Sequence, residues 1–244
     1  MANRSTPRAT RRAALSVGWL LITATVASLI GTALSRPLLD ASDYLTSVSD
    51  HADRIAAAAL FDLVAAAASM GIAISLYPVL KGWGERMALG SVAFRTAEAL
   101  MFMVGVACLL SLLALSQRFT SAAVADPASY RAIGDALLDT REQVTLIQVF
   151  AFGVGGSLYY WLFYRSRLVP RWLSIWGLVA MALTFVACVS ALFTQNAVTT
   201  YTVVLLPIAV QEMVLALWLI AKGFDVPTPP AARAPKREPV SVGG

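Results

Sequence analysis

Charge is scarce in this sequence. Of its 244 residues only 14% are charged, while 58% are hydrophobic. Soluble domains carry about a quarter charged residues, so the chain lacks the polar surface a water-soluble fold of this size needs. Histidine is nearly missing as well: His51 is the only one. A haem held between membrane helices normally takes imidazole ligands at membrane depth, so a b-type cytochrome is disfavoured. The two cysteines, Cys108 and Cys188, stand apart inside apolar stretches. Without a CxxC pair there is no dithiol redox motif and no zinc knuckle, and each thiol reads as a small hydrophobe. P-loop, nucleotide-binding and HExxH motifs are absent too. No cofactor and no metal site are expected.

What the chain does have is long apolar blocks. They run from about Ala13 to Leu34, Arg54 to Leu80, Met87 to Leu115, Gln143 to Tyr164, Trp172 to Phe193 and Tyr201 to Ala221. Each has the roughly 20 residues a helix needs to cross about 30 Å of hydrocarbon. No block alternates with period two, so helix is the spanning form. The expected fold is all-α, a polytopic bundle of six transmembrane helices.

Charge placement orients the bundle. With the N-terminus inside, thirteen of the nineteen Lys and Arg residues are cytoplasmic, in Arg4–Arg12, Lys81–Arg86, Arg165–Arg171, Lys222 and Arg233–Arg237. Arg36, Arg54, Arg118, Arg131 and Arg141 face outward, mixed with eight acids. This is the positive-inside pattern of a bacterial inner-membrane protein with both termini cytoplasmic. The net charge of +5 therefore reflects membrane orientation, with the bilayer as partner and no nucleic acid.

The connections are unequal. Lys81–Arg86 and Arg165–Arg171 are short and make helical hairpins. The two longer outer connections carry apolar residues at helical spacing: Leu45, Val48, Ala52 and Ile55 before span two, and Tyr130, Ile133 and Leu137 before span four. Two short amphipathic helices on the outer face are predicted there. Asp126-Pro127 is an N-cap followed by proline at the first helical position. Residues 1–12 form a disordered cytoplasmic arm, 13–224 the six-span domain, and 225–244 a disordered proline-rich tail.

Candidate functional residues are the polar groups at membrane depth, where an ionised side chain costs roughly 2.5–3.5 kcal/mol and must find partners inside the bundle. Arg95 and Glu98 lie three apart on span three and share a face. They sit about 12 and 16 Å from the cytoplasmic end, and Glu212 on span six about 14 Å from the same side. One Arg95 fork reaches both carboxylates in this reading. Asp62 on span two, Gln148 on span four and Gln211 on span six are secondary candidates. No nucleophile–base pair is legible, which argues against an enzyme. Three readings stay open. The cluster binds or moves a proton or a small lipophilic ligand, it only fixes helix packing, or its carboxylates perform acid–base chemistry. The first requires a cavity reaching Arg95 and Glu98; the second requires a dry, fully paired cluster. Oligomeric state is not legible.

Several motifs then resemble one family. They are Tyr77-Pro78-Val79-Leu80-Lys81, Ala88-Leu89-Gly90, Phe94-Arg95-Thr96-Ala97-Glu98, the run from Tyr164 to Gly177, Glu212 to Ile220, and Lys222-Gly223-Phe224. In order and spacing the stretch from about Arg12 to Phe224 resembles the bacterial membrane family named domain of unknown function 4386. The resemblance implies a membrane bundle in which Arg95, Glu98 and Glu212 form one unit, and it implies no substrate.

Overall fold

A computed structural model describes residues 7–121 and 126–225. Helix α1 spans Pro7–Leu39, the short α2 Tyr44–Asp50, α3 Ala52–Ser121, α4 Pro127–Ser166, α5 Arg171–Thr194 and α6 Thr202–Ala221, with a 3-10 turn at Val198–Tyr201 before α6. No strand occurs among the described residues. Among the described residues, five helical stretches are long and apolar enough to cross a membrane. The chain is thus an all-helical, multi-pass membrane protein.

The longest stretch, α3, counts 70 residues and is broken at Gly84, whose backbone is extended (φ 169°, ψ 85°). A straight helix of that length would measure about 105 Å, far beyond any bilayer. The break folds it into two arms, 52–83 and 85–121, that pack on each other: Ile55, Ala58 and Ala59 of the first arm share a core cluster with Val106 and Leu109 of the second. The expected loop over Lys81–Arg86 is thereby reduced to a single non-helical residue.

Two further expectations need correction. The arm at 1–12 is not wholly irregular: α1 begins at Pro7, and Arg11 donates from Nη1 to the Leu219 carbonyl (3.0 Å) and from Nη2 to that of Ile220 (2.8 Å). The Leu219 carbonyl also accepts from the Gly223 amide at 3.1 Å, and a guanidinium at this helix end is favourable both as a further donor and against the helix dipole. Residues 1–6 and the tail from 226 onward lie outside the described residues. The outer amphipathic helices also differ. α2 does bury Leu45 and Val48, but it ends at Asp50, and Ala52 and Ile55 already belong to α3. Tyr130, Ile133 and Leu137 form no separate helix at all; they are the first turns of the 40-residue α4. Its start is the expected one, with the Asp126 carboxylate accepting from the Ala128 and Ser129 amides at 3.2 and 3.3 Å and Pro127 following.

Helix neighbours form a closed circuit, α1 against α3, α3 against α4, α4 against α5, α5 against α6, and α6 back against α1. The main core lies toward the Gly84 end, where Leu21, Leu76, Tyr159, Phe163, Leu173 and Leu219 are buried together. The outside is apolar as well: Trp19, Leu29, Val203 and Leu217 are each at least 60% exposed. Lipid tails are as apolar as these side chains, so the helices associate through close packing and interior polar contacts rather than through water exclusion.

Candidate functional site

The second arm of α3 carries Arg95 and Glu98 on its inner face, both buried. Arg95 Nη1 stands 3.1 Å from Glu98 Oε2. The approach is an ion pair off the line of an aligned hydrogen bond: neither atom, nor Arg95 Nε, nor Ser69 Oγ on the first arm has an aligned partner among the described residues. The guanidinium lies over the Phe152 ring of α4 at 5.0 Å, a cation–π contact that helps hold a charge away from water. Its aliphatic shaft passes Gly155 so closely that a Cβ there would sit 3.1 and 3.2 Å from Arg95 Cγ and Cδ. Ser91, one turn before Arg95, donates its hydroxyl to the Gly155 carbonyl at 3.0 Å and fixes this crossing.

Glu212 enters from α6. It is near enough to act electrostatically on Arg95, but no ion pair joins them. Its partner is Tyr159 of α4, whose hydroxyl donates to Glu212 Oε1 at 3.3 Å. The adjacent residue on each helix repeats the pattern: Tyr160 donates to Gln211 Oε1, and Gln211 Nε2 donates to the Leu173 carbonyl of α5 at 3.1 Å. The three sequence candidates Arg95, Glu98 and Glu212 are therefore in one neighbourhood with Gln211, but Arg95 pairs with Glu98 alone, and Tyr159 takes the place the guanidinium fork was expected to fill at Glu212. Tyr159 and Tyr160 were not singled out from sequence. The available signal was the need of Glu212 and Gln211 for donors, and a tyrosine pair on a span is a source of two.

Asp62 and Gln148 lie elsewhere, toward the end of the bundle opposite Gly84. Asp62 on the first arm of α3 is buried, and its Oδ2 is 3.4 Å from Arg141 Nη2 on α4. A Cβ on Gly31 of α1 would overlap this carboxylate, so α1 closes over it only because that position has no side chain. Arg141 too was missed, since it was placed in the outer connection; the solitary acid of span two was the clue that a cation had to reach that depth.

Between α1, α3, α4 and the turn before α6 lies a cavity of about 320 Å³. Asp62, Arg141, Glu142 and Gln148 line it, together with Thr32 and Phe102. Arg95, Glu98, Glu212 and Gln211 are not among its walls. Chemically the molecule thus holds two different polar regions. One is an enclosed set of ion pair and hydrogen bonds linking α3, α4, α5 and α6; the other is an open, mixed-charge cavity. Among the described residues no group of His, Cys, Asp and Glu side chains is arranged to hold a metal ion.

No curated protein and no solved structure matches the chain. One family model does, described as domain of unknown function (DUF4386), and it covers residues 16–223. That span includes most of α1, every later helix and both polar regions, and so the chain belongs to the DUF4386 family.

Proposed function

We propose that this protein is a six-span bacterial inner-membrane protein that binds a small ligand from the outer side, in the cavity around Asp62, Arg141 and Gln148. The cavity carries the reading. Ligand sites are concave, hold a few placed polar groups among apolar walls, and start at about 300 Å³; this one has about 320 Å³ and combines Asp62, Arg141 and Gln148 with Phe102 and Val149. Each arm of α3 counts as one span. Arg11, Lys222 and Arg167 gather at one end of the bundle: Arg11 bonds the end of α6, and the Asp225 amide bonds the Leu168 carbonyl. By the positive-inside rule that end is cytoplasmic, with both chain termini, and the cavity faces outward.

For Arg95, Glu98 and Glu212 the packing role is favoured. Arg95 is paired with Glu98 and lies over Phe152, Glu212 accepts from Tyr159, and the cavity walls stop short of all three; Arg95 Nε, Arg95 Nη1 and Glu98 Oε2 are buried without an aligned hydrogen bond. The three residues fix the register of α3, α4 and α6 rather than handle a ligand or a proton.

Cysteine labelling tests both assignments. In a variant with Cys108→Ala and Cys188→Ala, a cysteine is placed by Gln148→Cys or by Glu98→Cys, and intact cells are treated with a membrane-impermeant maleimide. Position 148 is expected to react and position 98 to stay unlabelled. An unreactive 148 in a folded protein removes the outward cavity, and rapid labelling at 98 restores the cluster as the site.

A further inference from the structure

We infer that the cavity is selective for a small organic monocation, an ammonium compound carrying an aromatic or aliphatic group. The inference rests on the binding role proposed above and adds the chemical class.

The charges on the walls decide the sign. Two guanidinium groups face the cavity, and each is already engaged by a carboxylate: Arg36 by Asp40 at 3.3 Å and Arg141 by Asp62 at 3.4 Å. A third carboxylate, Glu142, makes no ion pair or hydrogen bond among the described residues. The walls therefore carry one unspent negative charge, three carboxylates against two guanidinium groups, and this net charge favours a cation over an anion. Phe102 adds an aromatic ring to the walls, and aromatic rings attract ammonium groups through their quadrupole. Gln148 and Thr32 also line the cavity with polar groups that make no hydrogen bond among the described residues, so both can serve a polar substituent. About 320 Å³ holds roughly ten water-sized groups, which limits the ligand to a small molecule.

The test uses full-length protein in lipid nanodiscs, titrated calorimetrically with benzyltrimethylammonium and, separately, with benzenesulfonate, each corrected for empty nanodiscs. The cation is expected to bind and the sulfonate not. Glu142→Gln, at an exposed position that leaves the helix contacts intact, is expected to weaken the cation by about tenfold, and Phe102→Leu by a similar factor. Binding of the sulfonate in preference, lost in Arg141→Gln, would overturn the cation class and leave the cavity as a binding site. Equal cation binding by the parent protein and Glu142→Gln also overturns the class. If neither probe binds, and neither protects Gln148→Cys from the maleimide, both the class and the binding role are wrong.

Discussion

Arg141 Nη2 stands 3.4 Å from Asp62 Oδ2, an ion pair between residues 79 apart in the chain that joins α4 to the first arm of α3. The pair lies at the wall of the cavity and not beside Arg95, so it and the Arg95–Glu98 pair are in different environments. Arg95 is 2% exposed, and its ion pair with Glu98 is shut away from water; Arg141 keeps a quarter of its side chain accessible. Removing a partner from the first pair leaves a bare charge in a dry interior, whereas water enters to replace a partner lost from the second.

That contrast gives the first prediction. Arg95→Leu is expected to destabilise the detergent-solubilised protein by about 3–5 kcal/mol, the usual cost of stripping one partner from a buried pair. The joint variant Arg95→Met with Glu98→Met is expected to regain much of the loss, because no charge is left behind. Asp62→Asn costs less than Arg95→Leu. Unfolding in increasing SDS, followed by circular dichroism, ranks the variants; a joint variant as unstable as Arg95→Leu contradicts the packing role.

Tyr159 supplies the donor for Glu212 at 3.3 Å, and both are buried. Tyr159→Phe removes only the hydroxyl and leaves a buried carboxylate oxygen without it, at an expected cost of about 1–3 kcal/mol. Tyr159→Phe combined with Glu212→Leu should be milder than the sum of the two single changes, since residues in one hydrogen-bond network couple. A double-mutant cycle measured by the same unfolding assay checks the coupling; strict additivity rejects the contact.

The close passage of Gly155 along Arg95 sets a steric limit. A Cβ at 155 would lie 3.3 Å from the Arg95 backbone nitrogen as well as against its shaft. Gly155→Ala asks for a shift of a few tenths of an ångström. Gly155→Val adds branches the gap has no room for and should cost a further ~1–3 kcal/mol by overpacking. Both can be ranked by the temperature at which half the protein aggregates in detergent, with Val below Ala and Ala at or below the parent.

At the start of α4 the Asp126 carboxylate is held below the ordinary carboxylate range, foremost by the Ser129 hydroxyl and amide that donate to it. A depressed folded-state pKa stabilises the helix start above the unfolded value and is lost as pH falls through the folded one. The ¹³C shift of the Asp126 carboxyl is therefore expected to titrate at lower pH than in a short peptide containing Asp126–Tyr130, and Ser129→Ala should move the midpoint up toward the peptide's. An unchanged midpoint in Ser129→Ala would show that the Ser129 hydroxyl does not hold the Asp126 carboxylate.

The helical class and the family were legible in the chain because both rest on local facts. Apolar blocks of spanning length need no tertiary information, nor does the Asp126-Pro127 helix start, and the motif order from Tyr77 to Phe224 is linear. Helix ends were harder. Nothing local distinguishes Tyr130–Leu137 as a separate surface helix from the same residues continuing into α4, because the spacing is identical in both. Nor does the arginine-rich start of α1 reveal that Arg11 will cap α6.

By itself the sequence determined that this protein is a helical membrane bundle, and that Arg95, Glu98, Glu212 and Asp62 had to be buried and partnered, since isolated charges are too costly in hydrocarbon. Which partners they take was decided only by the tertiary structure. Helical periodicity fixes which residues share a face of one helix, but it contains nothing about how neighbouring helices are rotated and shifted against each other. That packing assigned Arg141 to Asp62, Tyr159 to Glu212 and Tyr160 to Gln211, and it placed the cavity beside the first of these pairs and away from Arg95.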